Sequence, residues 1–124
     1  MSFLTMQAYW RLLYFDFLLM RGDFAGLYAR IRNLPTAKGL PSSALVKTIC
    51  SAVDIACICY PKQVLCLQRS ATTVSLLKNY AVPATLVLGA QQMPFKAHAW
   101  VEVDGCVVND KAYTPEIYGV LDRC

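Results

Sequence analysis

Apolar residues dominate the first sixth of the chain with hardly a break. Phe3 to Met20 is almost continuously aliphatic and aromatic, and Arg11 and Asp16 are its only charges. The run nears the roughly 20 residues a membrane span needs. The two charges argue against a span, because each costs about 2.5–3.5 kcal/mol at a bilayer centre. They stand five residues apart, so they do not pair along a helix. The expected element is a long helix, buried or facing a partner. A membrane-surface helix and a docking helix for another subunit are the sharper alternatives. Gly22 stops it, and Asp23 can cap a second helix from Phe24 to Arg32, with Leu27 and Ile31 on one face. Pro35, Gly39 and Pro41 mark a loop.

A further helix is predicted from Ser42 or Ser43, both good N-caps. Leu45, Ile49, Ala52, Val53 and Ala56 recur at helical steps, and Tyr60-Pro61 ends the pattern. Leu65 to Tyr80 reads as the next helix, and Pro83 breaks it. Ala84 to Leu88 is a short apolar strand ending at Gly89. Ala97 to Val103 alternates polar and apolar residues, Asp104-Gly105 is a two-residue hairpin signal, and Cys106 to Val108 is the returning strand. Helices first and antiparallel strands after indicate an α+β fold, with N-terminal helices packed on a small antiparallel sheet. The length, 124 residues, suits one domain: a helical part over 1–60 and a core over 61–124.

Composition narrows the function. Hydrophobic residues make up 56% and charged residues 16%, with a mean hydropathy of +0.40. Disorder is excluded, and apolar surface is left over for a partner. The net charge is +4 and is not gathered into a block. Arg21, Arg30 and Arg32 form the one basic cluster, read as a solvated face, so no nucleic-acid partner is expected. The N-terminus lacks the cationic start of a secretory signal. A cytoplasmic protein with reduced cysteines is therefore expected. Cys57-x-Cys59 with Cys66 fits no zinc spacing, so no metal or other cofactor is expected. Cys50, Cys57, Cys59, Cys106 and Cys124 carry no assigned role.

His98 is the single histidine, so any histidine chemistry must use it. Two features lift it above a structural histidine. Cys66 falls in the first turn of a helix, where free N–H groups and the positive dipole end favour a thiolate. Asp110 closes the strand after the hairpin, which sets it beside His98 at the strand spacing of about 4.8 Å. A thiolate can attack a carbonyl carbon, an imidazole can carry the proton to the leaving amine, and a carboxylate can orient that imidazole. Asn109 and Asp122 are weaker rivals for the orienting role. Arg69, one turn from Cys66, is a candidate to support the thiolate, to bind a substrate carbonyl, or to form a structural salt bridge. Trp100 and Glu102 share a strand face with His98. Trp100 is expected to fill the core, and Glu102 to be within reach of Arg69.

These residues resemble a known family. Cys66-Leu67-Gln68-Arg69-Ser70, Leu76-Leu77, Val82 to Gly89, Pro94 to Glu102, Asp104-Gly105 and Asn109-Asp110 match, in order, the lasso-peptide maturation proteases. These are B-type leader peptidases with a transglutaminase-like, papain-related core. The resemblance runs from Cys66 to about Tyr118, and the helical N-terminal third shares only its character. Tyr80-Ala81-Val82 departs from the pattern in lacking a glycine before the strand. The resemblance implies a cysteine endopeptidase with Cys66 as nucleophile, His98 as base and Asp110 as orienting acid. It implies the leader of a ribosomally made lasso precursor as substrate. It also implies two partners, a small leader-recognition protein and an ATP-dependent macrolactam-forming cyclase. At this length the recognition protein is expected as a separate chain, with the apolar N-terminal helices as its docking candidates. The alternatives are a transglutaminase-like acyl transferase or amidase, or a non-catalytic binding subunit of the same fold. A membrane-anchored protein is the least expected.

Overall fold

In a computed structural model that describes residues 3–39, 43–92, 95–110 and 114–124, α1 spans Phe3–Met20 as one unbroken helix. Thr5, Ala8, Leu12, Phe15 and Leu18 form its buried stripe, at the three- and four-residue steps that define one helix face. Phe3, Met6, Trp10, Tyr14, Phe17 and Met20 lie on the exposed side. The helix is thus both a core element and an apolar surface. Arg21 and Arg30 lie over the rings of Phe17 and Tyr14 at 5.4 Å each. Among the described residues no helix is long and apolar enough to cross a membrane. Asp16 is explained by tertiary partners. Tyr60 Oη donates to its Oδ2 at 2.6 Å, and Lys62 Nζ lies 3.0 Å from its Oδ1.

α2 runs Phe24–Asn33, and the Asp23 carboxylate caps it by accepting from the Gly26 N–H at 3.0 Å. Leu27 and Ile31 are buried on one face, as expected. α3 runs Ser43–Cys59 and buries Ile49, Ala52, Val53 and Ala56. Pro41, the alternative cap Ser42, and Pro94 lie outside the described residues. α4 runs Cys66–Asn79 and is buried at Gln68 and from Ser70 to Lys78. It lies between α1 and the sheet. Gln68 Nε2 donates to the Leu12 carbonyl at 2.9 Å on one side, and Ser70 Oγ to the Ala99 carbonyl at 3.1 Å on the other. At its C-terminal end Lys78, itself buried, donates to the Ile31 carbonyl at 2.9 Å. Ala81 follows at φ +70°, the left-handed region that favours glycine. Ala81 lies in the segment Tyr80-Ala81-Val82, which contains no glycine.

The sheet has four antiparallel strands in the order β3-β2-β1-β4: β1 Thr85–Gln92, β2 Phe95–Val103, β3 Cys106–Val107 and β4 Gly119–Arg123. β1 does not end at Gly89. Pairing with β2 carries it to Gln92, with Gly89 opposite His98. Asp104 and Gly105 both have positive φ, +52° and +77°, as a two-residue hairpin of mirror-image type needs. The short α5, Thr114–Ile117, and edge strand β4 were not expected from the sequence pattern. Ala99 and Val101 join Leu86 in the core with the helices. Alternation along β2 puts His98, Trp100 and Glu102 on the opposite face.

Candidate active site

Cys66 is the first residue of α4 and is exposed. Leu65 precedes it in extended backbone, φ −76° and ψ 152°. The first helical bond is Arg69 N–H to the Leu65 carbonyl at 3.0 Å. The N–H groups of Cys66, Leu67 and Gln68 therefore have no acceptor within the helix. Gln68 fixes this end from inside. Its Oε1 accepts from the Leu65 N–H at 3.4 Å while its Nε2 reaches α1.

His98 Nε2 and Asp110 Oδ2 are in direct hydrogen-bond contact. The imidazole stacks on Tyr118 at a centroid distance of 5.1 Å and on Trp100 at 6.1 Å, so aromatic surface flanks it. Trp100 is fully buried, and its Nε1–H donates to Glu102 Oε2 at 3.0 Å. Glu102 in turn lies 3.7 Å from Arg123. It does not meet Arg69, because Arg69 arrives from α4 on the other face of the sheet. Arg69 Nη2 lies 2.8 Å from Asp54 Oδ1 and donates to the Asn109 carbonyl at 3.2 Å. Of the three roles open to Arg69, the structure shows the salt bridge.

Asp110 is not on the returning strand. β3 stops at Val107, the Val108 N–H adds one bond to the Val101 carbonyl at 3.0 Å, and Asp110 sits in the bend that follows. The two rivals for its role are engaged elsewhere. Asp122 lies 3.6 Å from Arg32, and the Asn109 side chain is bonded to Val101 and Ser70. The structure thus brings His98 and Asp110 into direct contact. Cys66 is tied to them through α4, and among the described residues no hydrogen bond joins its thiol to the imidazole.

Cys59 and Cys106 are exposed like Cys66, whereas burial acts on the remaining three thiols. It pushes Cys50 up to about 11, with help from the Asp54 charge, and it raises Cys57 and Cys124 as well. Among the described residues no group of three or more His, Cys, Asp or Glu is gathered as metal ligands would be.

Tyr118 and Gly89 are neighbours of His98 that periodicity did not single out. A Cβ on Gly89 would fall 2.6 Å from the Trp100 ring, so the chain needs glycine there to seat the tryptophan. Tyr118 lies in a segment with no apolar alternation and carries no signal of its own.

α4 begins at Cys66 and packs on β2, the strand that carries His98 in contact with Asp110. The model of the transglutaminase-like superfamily matches residues 9–122, and the chain belongs to that superfamily. The match takes in α2 and α3 and most of α1, as well as the sheet. Over 45 residues, 36% of this chain, it is 42% identical to the Microcin J25-processing protein McjB of Escherichia coli. That stretch spans 22% of the relative's length. No solved structure matches the chain.

Proposed function

We propose that this protein is a cytoplasmic cysteine endopeptidase that removes the leader from a ribosomally made lasso precursor. The observation that carries the reading is the His98–Asp110 contact on a sheet whose strand β2 packs against the helix that starts at Cys66. Family membership and the likeness to a microcin-processing protein support the substrate class.

In this mechanism Asp110 holds Nε2–H of His98, which leaves Nδ1 as the nitrogen for the Cys66 proton. The thiolate attacks the scissile carbonyl. The free N–H groups at the start of α4 are placed to stabilise the oxyanion. His98 then delivers the proton to the leaving amine, which frees the N-terminus of the core peptide. Water, deprotonated by His98, hydrolyses the thioester and releases the leader acid. A separate leader-recognition protein presents the precursor, and a macrolactam-forming cyclase uses the freed amine. The exposed stripe of α1, with Trp10 and Tyr14 at its centre, is the docking surface for the recognition protein.

Cleavage of a precursor in the presence of its recognition protein tests this. Cys66→Ala and His98→Ala should each lower the rate by about a thousandfold or more. Asp110→Asn should retain part of it, since orientation is degraded and not lost. A Cys66→Ala protein that cleaves at the wild-type rate refutes the mechanism. Superfamily membership also supports a second reading, acyl transfer to an amine. Mass analysis separates them: hydrolysis releases leader acid, whereas transfer releases a leader amide.

A further inference from the structure

Asn109 is buried, 9% exposed, immediately before the Asp110 of the proposed site. Three bonds from three directions hold it. The Val101 N–H donates to its Oδ1 at 2.8 Å, its Nδ2 donates to Ser70 Oγ at 3.1 Å, and its own carbonyl accepts from Arg69 at 3.2 Å. Ser70 Oγ passes its single proton to the Ala99 carbonyl at 3.1 Å. Proton counting fixes every direction in this chain. An N–H can only donate, so Oδ1 must face Val101 and the amide nitrogen must face Ser70. Ser70 then accepts from Asn109 and donates its one proton to Ala99.

The location of these bonds matters more than their number. Ser70 and Arg69 lie four and three residues after Cys66 on α4. Ala99 and Val101 flank Trp100 on β2, and Ala99 adjoins His98. β3 has already ended two residues before Asn109, so Oδ1 takes the place of the backbone acceptor that a continuing ladder would offer Val101. One side chain therefore joins the nucleophile's helix, the histidine's strand and the aspartate's bend.

We propose that Asn109 is a positioning residue for the site: it sets Asp110 against His98 and registers both to the helix that carries Cys66. This rests on the reading of Cys66, His98 and Asp110 given above. Asparagine is the residue this role requires. Aspartate would offer no donor to Ser70 and would bury a charge, whereas alanine would orphan the Val101 N–H and the Ser70 hydroxyl's lone pair.

Two readouts test it without substrate. The first is the NMR signal of the imidazole N–H bonded to Asp110, unambiguous because His98 is the single histidine. The second is the rate at which limiting iodoacetamide labels Cys66, located by peptide mass spectrometry. In folded Asn109→Ala the downfield N–H signal should be lost, and Cys66 labelling should slow by about tenfold or more, as for other misplaced catalytic groups. In an Asp110→Ala background, Asn109→Ala should add little further loss, since its effect runs through Asp110. A folded Asn109→Ala that keeps both the signal and the rate overturns the proposal, as does full additivity with Asp110→Ala. If Asn109→Ala does not fold, Ser70→Ala removes one link and should broaden the signal and slow labelling in the same direction. An unchanged Ser70→Ala then overturns it. Failure of the underlying site reading looks different. Cys66 would label no faster in the wild type than in His98→Ala, while the N–H signal would still report whether Asn109 positions Asp110.

Discussion

Alanine at position 89 would place its Cβ 2.6 Å from Trp100 Cη2, 2.7 Å from Trp100 Cζ3 and 2.9 Å from Tyr118 Cβ. Carbon atoms rest at about 3.5–4.0 Å, so the indole edge must retreat by about 1 Å. Trp100 is fully buried in a closely packed layer, and such overpacking costs about 1–3 kcal/mol. Alanine offsets about 0.4–1 kcal/mol of that by restricting the unfolded chain. The net loss should be about 1–2 kcal/mol, read as a lower urea midpoint with an unchanged slope. Activity should fall further than stability. Trp100 and Tyr118 are the two rings stacked on His98, and Gly89 is its cross-strand partner. A displacement of about 1 Å passed to a catalytic group can cost about a hundredfold in rate. Urea denaturation and leader cleavage, measured on the same preparation, separate the two effects. Trp100→Phe withdraws the far edge of the ring, so the double variant should recover part of both. A Gly89→Ala protein with wild-type stability and activity would refute the reasoning, because the ring would then have room the structure does not show.

Ala81→Gly should stabilise the protein by about 0.5–1 kcal/mol, because relief of left-handed strain exceeds the added unfolded-state entropy. A raised melting temperature in calorimetry checks it, and a lowered one contradicts it. The Tyr60–Asp16 pair should shape stability at both ends of the pH scale. Burial, with the hydrogen bond to Asp16 adding to it, pushes Tyr60 up to about 12. The folded protein therefore keeps a proton that the unfolded chain loses near 10, and stability should fall as pH rises from about 10 to about 12. Burial alone would raise Asp16, but the hydrogen bonds from Tyr60 and Lys62 and the Lys62 charge outweigh it and hold the carboxyl below its usual range. Its contribution is complete above about pH 4 and is lost as pH falls through the folded value. In urea midpoints taken across pH, Tyr60→Phe should shrink both limbs; limbs unchanged from wild type would contradict the assignment.

The parts of this fold that were legible in the sequence share a property: their burial pattern is local. Leu27 with Ile31, and Ile49 with Ala52, Val53 and Ala56, are spaced by the helix itself. Asp104-Gly105 announces its hairpin through the positive φ that two adjacent residues must adopt. What escaped notice depends on partners distant in the chain. β4 is exposed at every residue and is a strand only because β1 offers it an edge, so it needs no apolar alternation. β1 runs past Gly89 for the same reason. Within the site, residue types named Cys66, His98 and Asp110 as candidates. The two bonds of Arg69 and the partners of Glu102 were not readable, since they follow from which face of the sheet each element covers.

The long reach of α1 has a consequence for synthesis. Its contacts to Tyr60, Gln68 and Tyr80 span 44, 56 and 73 residues. On a ribosome adding about 5–20 residues per second, Leu12 waits roughly three to eleven seconds before Gln68 exists to bond it. Through that interval the helix exposes both its future core stripe and the aromatic stripe that stays outside. A nascent chain in this state is a natural client for a holdase chaperone. Yield in cells should therefore depend on translation speed over the codons between α1 and α4 more than on the stability of the finished protein.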